Sequence, residues 1–264
     1  MIKAIFFDID GTLRDFNECG VRPSVYEAIA KARAAGVKCY VSSGRHSEEI
    51  RVDNLLGDLE FDGFVYLNGG YCCDNQGNVI YSMPVEPTQV RKALELLDTE
   101  PYYLCVMEAD RFYVNEVSPY VEAMHRIIGT QPPPAIDDMR KCLNTEIYMM
   151  VAYAEDPVLD RIMAQLPLCE PTRWNTSGAL DIVPRGVDKC NGIRAMIDHL
   201  GLTVDEVAAV GDNYNDIGML EMVGLGVCMG NGKDEAKAVA DYVAPHIDDD
   251  GLLKAVEYIL SKNK

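Results

Sequence analysis

The predicted fold is decided by the stretch Ala4-Ile5-Phe6-Phe7-Asp8-Ile9-Asp10-Gly11-Thr12. Its first four residues are all apolar, which indicates a strand covered on both faces, as in a parallel sheet. Two aspartates follow at the point where the chain leaves that strand. Ligands of open α/β sheets bind beyond the carboxyl ends of the strands, so Asp8 and Asp10 are candidates for a binding site. An acidic turn that ends at Gly11 is the structural alternative.

The pattern of the remaining chain divides it into two predicted domains. Short apolar runs alternate with helical patterns before residue 83 and again from residue 186, which is typical of βα units and a parallel sheet. The segment between them mixes strand and helix patterns and is broken by Pro132-Pro133-Pro134. We therefore predict an α/β fold, with a Rossmann-like parallel-sheet core formed by 1–82 and 186–264 and an α+β domain, 83–185, inserted into it.

Composition and charge limit the partners. The 264 residues include 24 Lys and Arg against 42 Asp and Glu, a net charge of −18. An acidic chain without a basic patch is not expected to bind nucleic acid. No apolar run approaches the roughly 20 residues that span a bilayer, so no membrane association is expected. Nine cysteines without disulfide or zinc spacing, and an N-terminus without a cleavage signal, favour the cytoplasm.

A second candidate motif is Val41-Ser42-Ser43-Gly44-Arg45, which follows a predicted strand and precedes a predicted helix. The hydroxyl of Ser43 and the free N–H of Gly44 at a helix start suit a phosphate oxygen. A serine that only caps the helix would give the same pattern.

Two more motifs lie in the last third of the chain. Asp212 stands in Gly211-Asp212-Asn213-Tyr214-Asn215-Asp216, after another predicted strand, and would complete a site for Mg²⁺, which prefers oxygen ligands. Lys189 would offset the carboxylates and attract a transferring phosphoryl group. Taken alone, a lysine is more often a solvated surface residue.

Taken in order, these motifs resemble those of the haloacid dehalogenase (HAD)-like superfamily, and within it the Cof-type sugar-phosphate phosphatases with a large inserted C2-type cap. The resemblance covers essentially the whole chain. It implies a Mg²⁺-dependent phosphatase that hydrolyses small phosphorylated metabolites, with sugar phosphates as the expected class, through an aspartyl-phosphate. A monomer or a small homo-oligomer is expected. Two alternatives remain open, a phosphosugar mutase and a non-catalytic sensor of phosphorylated ligands.

The resemblance also implies a role for each motif residue. Asp8 would be the nucleophile, and Asp10 the acid that protonates the leaving alcohol and then the base that activates water. Mg²⁺ would be held by Asp8, the backbone carbonyl of Asp10 and Asp212. The residues that would bind the phosphate are Ser43, Gly44, Lys189 and Asn215. The residues that would support the site are Thr12, Arg45, Asn68 and Asp216.

Some of these assignments keep two readings. Asp216 would orient Lys189 or a metal-bound water. Arg45 is either a substrate contact or an ion-pair partner on the helix that follows. Asn68 would touch substrate or the hinge of the cap. The insert is expected to determine which substrate is accepted, and its candidate residues lie near the return to the core: Trp174, Asn175, Thr176, Ser177 and Asp181.

Overall fold

A computed structural model describes residues 1–15, 20–174 and 176–263. The chain forms two compact units. The first unit is discontinuous and consists of Met1–Arg45, Ile50–Tyr81 and Asp188–Lys264. The second consists of His46–Glu49 and Ser82–Val187. The short segment His46–Glu49, which the sequence-based division puts in the core, therefore groups with the insert.

Thirteen strands and nine α-helices occur in the described part of the chain. The strands are β1 (Ala4–Phe7), β2 (Lys38–Ser42), β3 (Gly63–Tyr66), β4 (Tyr71–Asp74), β5 (Val79–Ser82), β6 (Tyr103–Met107), β7 (Phe112–Val114), β8 (Met149–Tyr153), β9 (Cys169–Arg173), β10 (Ala179–Pro184), β11 (Val207–Gly211), β12 (Leu225–Cys228) and β13 (Tyr242–Val243). The helices are α1 (Pro23–Ala34), α2 (Ser47–Val52), α3 (Pro87–Leu96), α4 (Pro119–Ile128), α5 (Asp156–Met163), α6 (Lys189–Leu200), α7 (Ile217–Met222), α8 (Asp234–Val239) and α9 (Gly251–Ser261).

The first unit is built on an eight-stranded sheet in the order β13-β12-β11-β1-β2-β3-β4-β5. The strands from β13 to β3 are all parallel, and β4 runs antiparallel to β3. This sheet confirms the predicted parallel α/β core. Since β1 lies between β11 and β2, the residues that follow these three strands meet at one edge of the sheet.

Helices cover the sheet and explain the continuous apolar strands. Phe6, Tyr40 and Val65, from three neighbouring strands, belong to one buried cluster with Ile193 and Met196 of α6. Helix α1 packs against α9 and β2. Burial on both faces requires apolar residues at every position of a strand, which is the pattern of Ala4–Phe7.

The second unit has a five-stranded sheet in the order β7-β6-β8-β10-β9, whose neighbouring strands are antiparallel. One face carries Leu104, Val106 and Met150, which belong to the same buried cluster as Ala93 of α3 and Leu159 of α5. Helix α4 contacts β8. Helices that follow strands without parallel crossovers make this unit the predicted α+β type.

The part of the chain that the structure describes holds no helix long and apolar enough to cross a membrane. Its eight cysteines are all free. The ninth, Cys19, lies outside the described residues.

His46 links the segment His46–Glu49 to the hairpin of β6 and β7 within the second unit through a hydrogen bond and a ring contact. Its ring is buried, and Nδ1 accepts a hydrogen bond from the backbone N–H of Glu48 at 3.0 Å. Because a backbone N–H can only donate, the proton of the neutral ring is on Nε2, which donates to the carbonyl of Glu108 at 2.9 Å. The ring of Phe112 lies 5.3 Å away, centroid to centroid. The hydrogen bond that Nδ1 accepts requires the neutral imidazole, because a protonated Nδ1 can only donate.

This arrangement predicts a pH-dependent stability. Burial lowers the pKa of His46 below its ordinary value of 6.5, although the hydrogen bond to Glu108 opposes the shift. The unfolded chain therefore takes up a proton first as pH falls through that value, and the free energy of unfolding decreases. His46→Gln keeps an amide donor for the Glu108 carbonyl but does not titrate. We expect a smaller loss of stability in His46→Gln than in the wild type between about pH 7.5 and about pH 5.5, measured by urea unfolding. Equal losses would contradict this role of His46.

Candidate active site

Lys189 lies between two buried carboxylates in the first unit. It is the first residue of α6 and only 1% exposed. Its Nζ donates hydrogen bonds to Oδ1 of Asp8 and to Oδ1 of Asp216, each at 2.6 Å. Asp8 follows β1, and Asp216 ends the 3₁₀ turn after β11. The buried charge of Lys189 is stabilised by two close anionic partners, as buried charges require.

Burial and charge act in opposite directions in this site. Burial alone would lower the pKa of Lys189, but Asp216 and Asp8 outweigh it and the pKa is raised above its ordinary value. Burial raises the pKa of Asp8 to about 7, against the opposing charge of Lys189. Burial, with the charge of Asp8, raises the pKa of Asp212 well above its usual range. The site therefore holds more buried negative charge than one ammonium can balance, and a bound cation would relieve it.

Asp212 is held by the loop that follows β1. Thr12 Oγ1 donates to Asp212 Oδ1 at 3.0 Å, and both residues are buried. Gly11 permits this approach, because its φ is +90° and a Cβ there would lie 2.3 Å from Asp212 Oδ2. A side chain at position 11 is thus excluded both by backbone conformation and by space.

Three carboxylates could be considered for a metal ion, since oxygens of Asp8, Asp212 and Asp216 lie within 4.8 Å of one another. Both oxygens of Asp216 already accept hydrogen bonds. Oδ1 accepts from Lys189, and Oδ2 accepts from the backbone N–H groups of Asp212 and Asn213, each at 2.9 Å. Asp8 and Asp212 would therefore be the better carboxylate ligands. Their hard oxygen donors, clustered and short of positive charge, fit a divalent cation such as Mg²⁺.

The carboxylate of Asp10 is directed to two arginines. Arg45 donates to it through both Nε, at 2.7 Å, and Nη2, at 3.2 Å. Arg14 Nε lies 3.7 Å from Asp10 Oδ1, and both arginines are buried. Arg45 thus forms an ion pair with Asp10 in the loop after β1, whereas the sequence analysis considers a partner on the helix that follows Arg45. The side chain of Asp10 lies outside the cluster of three carboxylates, and the sequence-based assignment gave the metal only its backbone carbonyl.

Four predicted residues meet where β2 and β3 end. The side-chain amide of Asn215 donates to Asn68 Oδ1 at 3.1 Å, and the backbone N–H of Asn68 donates to the carbonyl of Ser43 at 3.0 Å. A Cβ on Gly44 would lie 3.0 Å from Asn68 Oδ1, so Asn68 packs directly against Gly44. Ser43 Oγ accepts from the N–H of Arg45 at 3.1 Å, an acceptor role that leaves its own proton for a ligand.

In the second unit, the structure brings Trp174 and Asp181 together. Trp174 Nε1 donates to Asp181 Oδ1 at 2.7 Å. The indole packs edge-on against the rings of His125 and Tyr153, with centroids 6.0 and 5.8 Å away. The tryptophan is thus part of a packed aromatic cluster that also holds a buried carboxylate.

Of the other candidates of the second unit, Thr176 and Ser177 lie between β9 and β10. Asn175 is outside the described residues. Thr176 Oγ1 donates to the backbone carbonyl of Ser177 at 3.3 Å, a local contact within the turn. Among the described hydrogen bonds, none joins Thr176 or Ser177 to Trp174 or Asp181.

Sequence analysis missed two residues that hold the site loops, Arg14 beside Asp10 and Asn231. Asn231 Nδ2 donates to the carbonyl of Gly11 at 2.7 Å, and its Oδ1 accepts from the N–H of Ile247 at 3.1 Å. A signal for Asn231 exists, because it stands between two glycines shortly after β12, as the other site residues stand after β1 and β11. Arg14 carries no comparable signal.

Known proteins resemble this chain over most of its length. Residues 5–256 match the family of haloacid dehalogenase-like hydrolases. YkrA of Bacillus subtilis (strain 168), which is named as a phosphatase, is 30% identical over 257 residues, or 97% of this chain and 96% of its own. The pyridoxal phosphate phosphatase YbhA of Escherichia coli (strain K12) is 28% identical over 91% of this chain and 92% of its own. The solved structure of the HAD subclass IIB sugar phosphatase BT4131 matches with a TM-score of 0.82 and 30% identity, over 97% of this chain and 98% of that one.

The fold, the site and these relatives define the class of protein as a phosphomonoester hydrolase. Its parallel-sheet core with an inserted α+β unit is shared over nearly the full length with the solved structure. The chain belongs to the haloacid dehalogenase-like hydrolase family, which confirms the resemblance seen in its sequence motifs.

Proposed function

We propose that the protein is a Mg²⁺-dependent phosphatase of small phosphorylated metabolites, with sugar phosphates as the expected class. The proposal rests on the buried row Asp8–Lys189–Asp216 beside Asp212. Of these residues, Asp8 and Asp212 follow the adjacent parallel strands β1 and β11. A phosphomonoester dianion can approach carboxylates only where cations offset their charge. Lys189 supplies one positive charge, and Asp8 and Asp212 would hold the metal ion. The activities named for BT4131 and YbhA support a small phosphorylated substrate.

The reaction would proceed in two steps on Asp8. In the first, a carboxylate oxygen of Asp8 forms a bond to phosphorus while the bond between phosphorus and the alcohol oxygen breaks, and Asp10 gives that oxygen a proton. In the second, Asp10 takes a proton from water, whose oxygen bonds to phosphorus and releases the Asp8 carboxylate and inorganic phosphate. When bound, Mg²⁺ would supply charge that offsets the phosphoryl oxygens.

The residues around Asp8 would hold the phosphoryl group during both steps. Lys189 Nζ has three protons, of which two are given to carboxylates, so the third is available to a phosphoryl oxygen. The hydroxyl of Ser43, the N–H of Gly44 and the amide of Asn215 are the other proposed donors. Arg45 would place the carboxylate of Asp10 through its two hydrogen bonds.

Substrate selectivity is proposed for the inserted unit. The indole of Trp174 is half-buried and would supply an apolar face for a sugar ring, and Asp181, which accepts from Trp174 Nε1, would position that indole. The indole is held by this hydrogen bond and by edge-on contacts with the rings of His125 and Tyr153.

The metal proposal predicts the behaviour of Asp212→Asn. A neutral amide attracts a cation less strongly than a carboxylate, so the Mg²⁺ concentration for half-maximal activity is expected to rise about tenfold or more. Phosphate release from a panel of sugar phosphates and other small phosphomonoesters, during Mg²⁺ titration of chelator-treated enzyme, measures it. Asp234→Asn makes the same chemical change on a side chain that is 99% exposed and serves as control.

Three outcomes would count against these proposals. An unchanged Mg²⁺ requirement in Asp212→Asn would exclude Asp212 as a ligand. Full wild-type activity in the presence of chelator would exclude Mg²⁺ dependence. If the wild type with Mg²⁺ released phosphate from no member of the panel, the proposed substrate class would be wrong.

A further inference from the structure

Ser42, the last residue of β2, has a buried hydroxyl that the proposed mechanism does not use. The residue is 0% exposed, and its Oγ is the one buried side-chain oxygen or nitrogen within the described ranges that lacks a hydrogen-bond partner. A buried hydroxyl without a partner is destabilising, and folded proteins retain few such groups. Its position in the sheet suggests why this one is kept.

The side chain of Ser42 points to the face of the sheet that α6 covers. Tyr40, two residues earlier on the same strand, belongs to the buried cluster of that face with Ile193 of α6. Side chains alternate along a strand, so Ser42 shares this face. Val65 of β3, which pairs with Ser42, also faces α6. A Cβ on Gly192 of α6 would lie 2.5 Å from Cγ1 of Val65.

On the other neighbouring strand, Ser42 has Asp8 beside it. Strands β1 and β2 are parallel with Phe7 opposite Val41, so Asp8 and Ser42 are the next pair along. Adjacent strands lie about 4.8 Å apart. Asp8 also faces α6, since it accepts a hydrogen bond from Lys189 at the start of that helix. The unpaired hydroxyl therefore lies one strand away from the proposed nucleophile, on the same side of the sheet.

We propose that Ser42 is a positioning residue for Asp8. In the resting protein, Lys189 donates to Asp8 Oδ1 at 2.6 Å, and the hydroxyl of Ser42 is spare. When a phosphoryl oxygen accepts the third proton of Lys189 and draws the ammonium toward itself, the hydrogen bond from Lys189 to Asp8 weakens. The hydroxyl of Ser42 then donates to the Asp8 carboxylate and keeps it oriented for attack. This inference rests on the proposed function.

The proposal predicts opposite effects of Ser42→Ala on activity and on stability. We expect kcat for a phosphomonoester that the wild type hydrolyses to fall about tenfold, with KM within about twofold, because a charge-assisted hydrogen bond used in turnover is lost. The thermal midpoint is expected to equal or exceed that of the wild type, since an unpaired buried hydroxyl is removed. Cys39→Ala, a buried change on the same strand, is the matched control, with a lower thermal midpoint and unchanged kcat.

Two results would overturn the proposal. One is a kcat of Ser42→Ala within twofold of the wild type. The other is a loss of kcat together with a lower thermal midpoint, which would show that the serine only supports the fold. Both are read against wild-type turnover, so they leave the proposed phosphatase function standing. Absence of turnover in the wild type would instead remove the proposed function, and this inference with it.

Discussion

Asp8→Asn is expected to abolish hydrolysis of phosphomonoesters, with kcat reduced by a factor on the order of 10⁴ or more. An amide cannot form the bond to phosphorus with which the proposed reaction begins. Phosphate release by equal amounts of the variant and of the wild type, at saturating Mg²⁺, measures the loss. Turnover like that of the wild type would exclude Asp8 as the nucleophile.

The stability of Asp8→Asn shows whether its loss of activity comes from the missing nucleophile or from a folding defect. Burial raises the pKa of Asp8 from 3.8 to about 7, so the stability that this group contributes is present below about pH 4 and is lost as pH rises through about 7. An asparagine has no such loss. In chelator at about pH 8, Asp8→Asn is therefore expected to have a free energy of unfolding at least equal to that of the wild type, measured by urea unfolding. A lower value would mean that the bond to Lys189 outweighs the burial of the carboxylate.

A covalent trap tests the intermediate directly. Wild-type enzyme that is denatured during turnover of a radiolabelled phosphomonoester should retain labelled phosphate, and hydroxylamine should remove it, as it does from acyl phosphates. Asp8→Asn should retain no label, whereas Asp234→Asn should behave like the wild type. Equal labelling of Asp8→Asn would place the covalent bond on another residue.

Elements with a clear repeat were predictable from the sequence, and elements set by pairing or capping were not. The continuous apolar run Ala4–Phe7 predicts a strand buried on both faces, and the alternation with helical patterns around it predicts a parallel sheet. The strand Tyr242–Val243 has two residues, too few to show a period, and exists through its pairing with β12. The 3₁₀ helix Met139–Asn144 begins where Asp138 accepts from the N–H of Arg140 at 3.0 Å, a local cap without periodic pattern.

The residues of the candidate site also differ in how far the sequence predicts them. Parallel strands bring their carboxyl ends together whatever the loops do, so Asp8 and Asp212 could be selected from their positions after apolar runs. The partners that hold them depend on loop conformations. Asn231 reaches Gly11 across 220 residues of sequence, and no helical or strand period relates the two. Arg14 pairs with Asp10 through a tight turn whose shape the sequence does not display.

Lys189→Met is expected to reduce both activity and stability. Lys189 donates to Asp8 and Asp216 at 2.6 Å, and all three side chains are buried. Breaking a buried ion pair by removing one partner typically lowers the free energy of unfolding by about 3–5 kcal/mol. Loss of the ammonium that would face the phosphoryl group is expected to lower kcat/KM by a factor on the order of 10³. Urea unfolding in chelator and phosphate release measure the two effects, with the exposed Lys38→Met as control.

The pH dependence of the loss in free energy of unfolding of Lys189→Met identifies the cause of that loss. Lys189 lowers the pKa of Asp8, so its removal raises that pKa further above the unfolded value. A group with a raised folded pKa contributes stability that is lost as pH rises, so the deficit of Lys189→Met should be largest near pH 8 and smaller near pH 5. A deficit that did not change with pH would point to lost packing of the lysine side chain.

A second substitution separates the two effects of the lysine. Asp216→Asn keeps an oxygen that can accept from the backbone but removes one of the two carboxylates that Lys189 compensates. The double variant Lys189→Met/Asp216→Asn is therefore expected to regain part of the lost stability, and the double-mutant cycle measures the coupling between the two side chains. It should regain no activity, because the ammonium proposed to hold the phosphoryl group is still missing. Recovered activity would mean that Lys189 serves only to neutralise Asp216, and unrecovered stability would mean that the deficit does not arise from charge.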